Sequence, residues 1–287
     1  ADLPIGSALF LHALLPTLLF QGALAVDIHR MRDDLLPILL LALVAVAVAI
    51  FGIGLALWPA SGLPLVACLL LASVVATTDP VAVISIFRSV GAPERLTRLV
   101  EGESLFNDAA AVAFFIAFTG LIVSPDRIDA FGFVADLALL PLGGAVLGYL
   151  LARLLLHLPR RLREDRVAFA SLSLALPFLT FWLAEVGLHV SGVLAVVAAG
   201  VTLATLAPGR VPPGVWRYVG DVWELLGATA TILVFLLTAL LVPRLMAGWS
   251  LADVGLLAIL FLAALGARAA ILLGVFPVLS RRRLMPE

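Results

Sequence analysis

The residues of this 287-residue chain best placed to do chemistry are carboxylates set in apolar surroundings. Asp79 stands in the run Thr77-Thr78-Asp79-Pro80-Val81-Ala82, and three more acids come in Glu101-Gly102-Glu103-Ser104-Leu105-Phe106-Asn107-Asp108. Both runs lie in or against stretches long enough to cross a bilayer. A carboxylate costs about 3 kcal/mol to insert there, so it marks a functional position by default. Pro80 removes a backbone donor and disfavours helix at Asp79. Such a break is tolerated only where protein or a water-filled cavity satisfies the freed carbonyls. A broken helix beside an acidic one is a layout that holds a small cation near the membrane midplane.

At 100° per residue, Glu101, Ser104 and Asp108 share one helix face, while Glu103 and Asn107 share another. If the helix begins near Glu101, then Glu101 and Glu103 can act as N-terminal acids favoured by the macrodipole. Asp108 lies about 9 Å beyond Gly102 by helix rise, deep enough to be desolvated and within reach of a cytoplasmic funnel. Arg268, in Gly266-Ala267-Arg268-Ala269-Ala270, is the one basic residue well inside a span. A buried charge persists only when paired and hydrogen-bonded. Its five donors could fork between Asp79 and Glu103, with Asn107 completing the contacts. The alternative is an arginine that snorkels to the interface.

With Asp79 and Glu103 held by Arg268, Asp108 becomes the acid whose state can change. The Ser104 hydroxyl, the Asp108 carboxylate and a carbonyl freed near Thr78 are hard oxygen ligands suited to a small alkali cation. Desolvation disfavours the charged carboxylate, so proton and cation compete for it. Either loaded form is locally neutral, whereas the empty anion is costly to carry through a dry barrier. That asymmetry yields one-for-one exchange without net charge movement. Two other chemistries would use the same residues. One is an intramembrane aspartyl protease, in which two aspartates share a proton; the other is a passive cation channel. The permanent cation at Arg268, Asn107 and the Pro80 break argue against the protease, and no Gly-x-Gly-Asp run occurs.

The remaining sequence must position these groups inside a membrane. The chain is 63% apolar and 13% charged, with mean hydropathy +1.18, a balance that a soluble surface could not sustain. The expected fold is an all-α polytopic membrane protein with about nine transmembrane helices. They fall roughly at 7–26, 35–58, 63–87, 104–123, 131–152, 167–187, 190–206, 222–243 and 251–279. One is discontinuous at Thr78-Asp79-Pro80. A single transmembrane domain covers 1–287, its core helices roughly 63–123 and 251–279.

All 18 basic residues are arginine. Fifteen lie in odd-numbered loops or the tail, Arg127 and Arg244 in even loops, and Arg268 in a span. Positive loops stay cytoplasmic, which predicts a multi-pass inner (plasma) membrane protein with its C-terminus in the cytoplasm. Trp58, Trp216, Trp223 and Trp249 fall near predicted span ends, as an aromatic belt would. No basic run points to nucleic acid. The lone Cys68 excludes intrachain disulfides and multi-thiolate metal sites. Gly144-x-x-x-Gly148 permits close helix contact, within the chain or across a homodimer. Glu224 reads as an acid near a helix start. Glu185 with His189 has the spacing of a metal pair, although an interfacial acid at a helix boundary is the simpler reading.

These motifs resemble the monovalent cation:proton antiporter family, in its sodium/proton exchanger branch. The most specific are Thr78-Asp79-Pro80 and Glu103-Ser104-Leu105-Phe106-Asn107-Asp108. Leu183-Ala184-Glu185, Ser191-Gly192-Val193-Leu194-Ala195, Ala267-Arg268-Ala269 and the opening Leu15–Leu24 run are similar to it as well. The resemblance implies that Asp108 carries the ion or proton, assisted by Ser104 and the Thr78 carbonyl. Asp79 and Asn107 would stabilise the broken-helix crossing, and Glu103 would pair with Arg268. Asn107 before Asp108, where electrogenic relatives have two aspartates, implies the electroneutral type. The cargo would be sodium (or lithium) and protons, with potassium the alternative, and no resident cofactor. Gln21 stands where many members have an acid, and Thr238-Ala239 where a glycine is expected. The resemblance implies a first helix ahead of the one at 7–26 and a second broken helix of Gly-Gly-Leu-Arg-Gly type after the Arg268 helix, and neither falls within this sequence. The expected fold is therefore a partial one, and a non-transporting fragment is the remaining alternative.

Overall fold

A computed structural model describes residues 10–25, 35–77, 81–123, 130–246 and 248–275. All regular structure among them is helical, as it must be where lipid offers no partner to a backbone amide. Six helices are long and apolar enough to span a membrane. Three shorter apolar ones cover His12–Ala25, Leu65–Val75 and Gly192–Leu206. The chain is a multi-pass membrane protein. It divides into two compact units, Ala1–His29 with Ala138–Ala247, and Arg30–Leu137 with Gly248–Glu287.

The first unit holds α1 (Leu15–Ala25), which continues a π-helical turn at Phe10–Leu14, and most of α6 (Ala130–Leu156). It also holds the short α7 (Arg160–Glu164), α8 (Arg166–Trp182), α9 (Gly192–Leu206) and α10 (Pro213–Leu245). α8 runs on as a π-helical turn over Leu183–Leu188, and His189 then turns left-handed at φ 52°. Asp165 caps α8 by accepting from the amides of Val167 and Ala168, and Ser191 caps α9 through Leu194. α6 meets α9 through small residues. A methyl group on Gly144 or Gly148 would overlap the carbonyl oxygen of Ser191 or Ala195, so this stripe serves packing inside the unit.

The second unit holds α2 (Leu35–Ser61), α3 (Leu65–Val75), α4 (Val81–Val90), α5 (Glu94–Val123) and α11 (Leu251–Ala270). Its core joins Ile50, Ile53 and Leu57 of α2 with Cys68 and Ala72 of α3, Phe114 and Phe118 of α5, and Ala267 of α11. α2 passes through Pro59 to Ser61 before Gly62, at φ +67°, turns the chain. Helix α3 ends at Val75 and α4 begins at Val81; the expected discontinuity at Thr78-Asp79-Pro80 lies outside the described residues.

Two helices begin well before the apolar runs that betrayed them. α5 starts at Glu94, directly after Pro93, and not near 104; α10 starts at Pro213 and not at 222. Both extensions are charged and amphipathic, so a hydropathy window discards them although the backbone stays helical. α10, at 33 residues, is about 50 Å long, well beyond a hydrocarbon core of about 30 Å. Consequently Glu101 and Glu103 are not first-turn acids, and Glu224 is not near a helix start. Trp223 is no interfacial anchor either. It is 1% exposed, its ring 4.6 Å from Phe20, and its Nε1–H donates to Ser173 Oγ at 3.1 Å.

Candidate functional site

On α5 the environment of each acid follows from helical phase. Glu103 and Asn107, four residues apart, both face inward, at 6% and 1% exposure. Ser104 is buried as well, whereas Asp108 is exposed. The Glu103 carboxylate meets Arg268 of α11 in a two-point contact. Arg268 Nη1 donates to Oε1 at 3.2 Å, and Nη2 approaches Oε2 at 3.5 Å. This pair joins segments 165 residues apart in sequence. Burial of the Glu103 carboxylate, its side chain 8% exposed, makes the contact more consequential than a surface ion pair, because that acid left alone would face a desolvation penalty of several kcal/mol.

Arg268 keeps part of its side chain accessible, at 38%, and lines an open cavity of about 200 Å³. The other walls are Ala49 and Ile53 of α2, Val75 and Ala76, and Phe261, Ala264 and Leu265 of α11. Its apolar lining, drawn from segments far apart in the chain, had no sequence signature. Thr78 and Asp79 lie outside the described residues, and so does the side chain of Glu101. The structure therefore buries Glu103, Ser104 and Asn107 on α5 and sets the partly accessible Arg268 of α11 against Glu103. Asp108 is exposed on the same helix, less enclosed than its position in an apolar run suggested.

Two polar residues of the first unit carry other tasks. Glu185 Oε1 accepts from the Gly192 amide at 2.9 Å, and the His189 ring Nδ1 sits 3.1 Å from the Glu185 carbonyl. The acid thus ties the π-helical turn to the start of α9, and its geometry is that of a clasp. Among the described residues no group of three or more His, Cys, Asp or Glu side chains converges on a metal position. Gln21 lies along α10, so close to Gly227 that a Cβ there would fall 2.6 Å from Gln21 Cγ.

The chain is similar to several bacterial transporters. It is 36% identical over 238 residues to the Na(+)/H(+) antiporter NhaP of Pseudomonas aeruginosa, covering 79% of this chain and 54% of that one. Against the Na(+)/H(+) antiporter ApNhaP of Aphanothece halophytica it is 34% identical over 234 residues, covering 80% and 44%. Against Na(+)/H(+) antiporter NhaG of Bacillus atrophaeus it is 32% identical over 257 residues, covering 86% and 48%. The chain spans about half the length of these relatives. The family described as the transmembrane sodium/hydrogen exchangers, transporters and not enzymes, matches residues 3–284. An α-helical, multi-pass chain with acids on α5 and an arginine on α11 fits that match over nearly its whole length, and the chain belongs to the sodium/hydrogen exchanger family.

Proposed function

We propose that this chain forms the ion-handling part of an electroneutral sodium (or lithium)/proton exchanger of the inner membrane, working by alternating access with its C-terminus in the cytoplasm. The observation that carries the reading is the contrast between two acids five residues apart on α5. Glu103 is buried against a guanidinium, whereas Asp108 is exposed. Two carboxylates in opposite environments take different roles. Glu103 is a fixed anion, neutralised by Arg268, that braces α5 against α11. Asp108 is the group that exchanges its partner.

In this mechanism Asp108 holds either a proton or an alkali cation, and the two states exclude one another. Ser104, one turn earlier, supplies a hydroxyl oxygen beside the carboxylate, and Thr78 a backbone carbonyl. Asn107 and Asp79 hold the adjoining backbone in place. Crossing with an empty carboxylate is disfavoured by its unneutralised charge, so each cation moved one way is matched by one proton moved the other way. The antiporter relatives named above handle the same pair of ions.

The test is exchange in vesicles from cells producing the protein, read with a pH-sensitive dye as sodium, lithium and potassium are added in turn. Asp108→Asn is expected to reduce exchange to background while leaving membrane yield unchanged. Full exchange by that variant would remove the proposal. Peptide cleavage or proton-independent conductance in place of exchange would favour the protease or the channel.

A further inference from the structure

The first unit is strongly polarised. At one end of its helices stand Arg153, Arg160, Arg161, Arg163, Arg166, Arg210 and Arg217, against the acids Glu164, Asp165, Asp221 and Glu224. Several of these charges are already committed. Arg160 pairs with Glu164, which holds its guanidinium above its ordinary pKa by hydrogen bonding and charge. Arg163 donates to the carbonyls of Leu158 and Arg210, and Asp165 caps α8. Arg153 is different. Its Nη1 donates to Tyr149 Oη at 2.7 Å, and its Cζ lies 5.6 Å from the Tyr149 ring centroid. No carboxylate is paired with it among the described residues. The chain has only two tyrosines, and the other, Tyr218, likewise lies under an arginine, Arg166, at 5.6 Å.

What precedes Arg153 on α6 is equally specific. The face opposite the Gly144 and Gly148 packing stripe exposes Leu139, Leu142, Val146, Leu150 and Leu154, with Tyr149 among them. From Leu139 to Arg153 this apolar stripe climbs about 21 Å, more than the hydrocarbon depth of one leaflet, about 15 Å. It ends in a phenol that belongs at headgroup level and a guanidinium fixed beside it.

We infer that this face of α6 is a binding site for an anionic phospholipid of the leaflet on the arginine side. An acyl chain lies along Leu139–Leu150, and the phosphate is held by Arg153 with the Tyr149 hydroxyl. A planar guanidinium presents paired donors to phosphate oxygens, and one turn of helix plus the hydroxyl contact spares Arg153 the entropy of finding that position. An acidic peptide would answer the charge and leave the stripe uncovered. A second copy related by a two-fold axis along the membrane normal would set Arg153 against its own image, a like-charge contact that disfavours that pairing. Both halves of an anionic lipid are matched.

Native mass spectrometry of the detergent-solubilised protein, titrated with phosphatidylglycerol or phosphatidylcholine, tests this without any need for transport. Phosphatidylglycerol is expected to occupy one retained site more tightly than phosphatidylcholine by about tenfold, about 1.4 kcal/mol. Arg153→Gln is expected to erase that preference. Tyr149→Phe is expected to weaken it, and Arg160→Gln, which removes an equal charge already paired with Glu164, to keep it. Equal binding of the two lipids overturns the site, as does an unaltered preference in Arg153→Gln. An equal loss in Arg160→Gln would reduce the effect to diffuse charge and also overturn it. Glycerol phosphate added in excess should not displace the lipid; displacement would assign the site to a free phosphate. Efficient disulfide cross-linking between copies carrying Val146→Cys would assign the face to a dimer instead.

Discussion

The two units solve the problem of a polar interior in opposite ways. In the unit built on α1, α8, α9 and α10, the buried polar atoms are neutral. Ser173 Oγ donates to the Ala170 carbonyl at 2.7 Å and accepts from Trp223, and α6 closes on α9 through glycines. In the unit built on α2, α3, α5 and α11, a buried carboxylate, Glu103, is answered by the partly accessible guanidinium of Arg268 beside an open cavity. Neutral hydroxyls in a tight interior make a body that resists rearrangement, since each packed contact has one good geometry. A buried ion pair adds little net stability but severely penalises any state that separates it. The ionic unit is therefore the one whose integrity depends on charge bookkeeping, and it is the one that carries Asp108.

That contrast can be broken by substitution. The largest effect is expected for Trp223→Ala, which removes the biggest fully buried side chain of the neutral unit and one of the two hydrogen bonds of Ser173, at about 4 kcal/mol. Thermal unfolding in detergent should show it, and salt should not change the loss. Arg268→Ala is expected to cost about 3 kcal/mol by stranding Glu103. Here the sharper reading is the double variant with Glu103→Gln, which should recover a good part of the loss because no lone charge remains. If the double variant is as damaged as the single one, the contact matters for shape and not for charge. Smallest is Gly148→Ala, at about 1–3 kcal/mol from overpacking against the Ala195 carbonyl. A matching substitution at Gly220, where a Cβ meets nothing within 4 Å, should be close to neutral by the same melt.

Much of this was legible because lipid leaves a chain so few choices. Long charge-poor runs could only be helices, and the loops between them could be found from arginine and proline. The charge on Arg268 was conspicuous because a cation within a span calls for an anion near it. Other features had no such forcing. The early starts of α5 and α10 were hidden because a helix that projects into water is written in ordinary amphipathic code, with Val215, Val219 and Trp223 at four-residue spacing buried and Arg217, Asp221 and Glu224 outside. Trp223 read as an interfacial residue for the same reason, since the apolar run seemed to begin beside it. The spacing of Gly144 and Gly148 allowed two partners, and only the position of Ser191 and Ala195 chose between them. The exposure of Asp108 was likewise illegible, because it depends on what other helices leave uncovered and not on its own neighbours in the chain.

The absence of lysine has a chemical corollary. A guanidinium keeps its proton across any acidity a cell meets, so the positive side of this molecule carries the same charge before and after a burst of proton movement. If hydrogen ions are the cargo, the features that hold the protein upright and seat its lipids are made from groups deaf to the quantity it regulates.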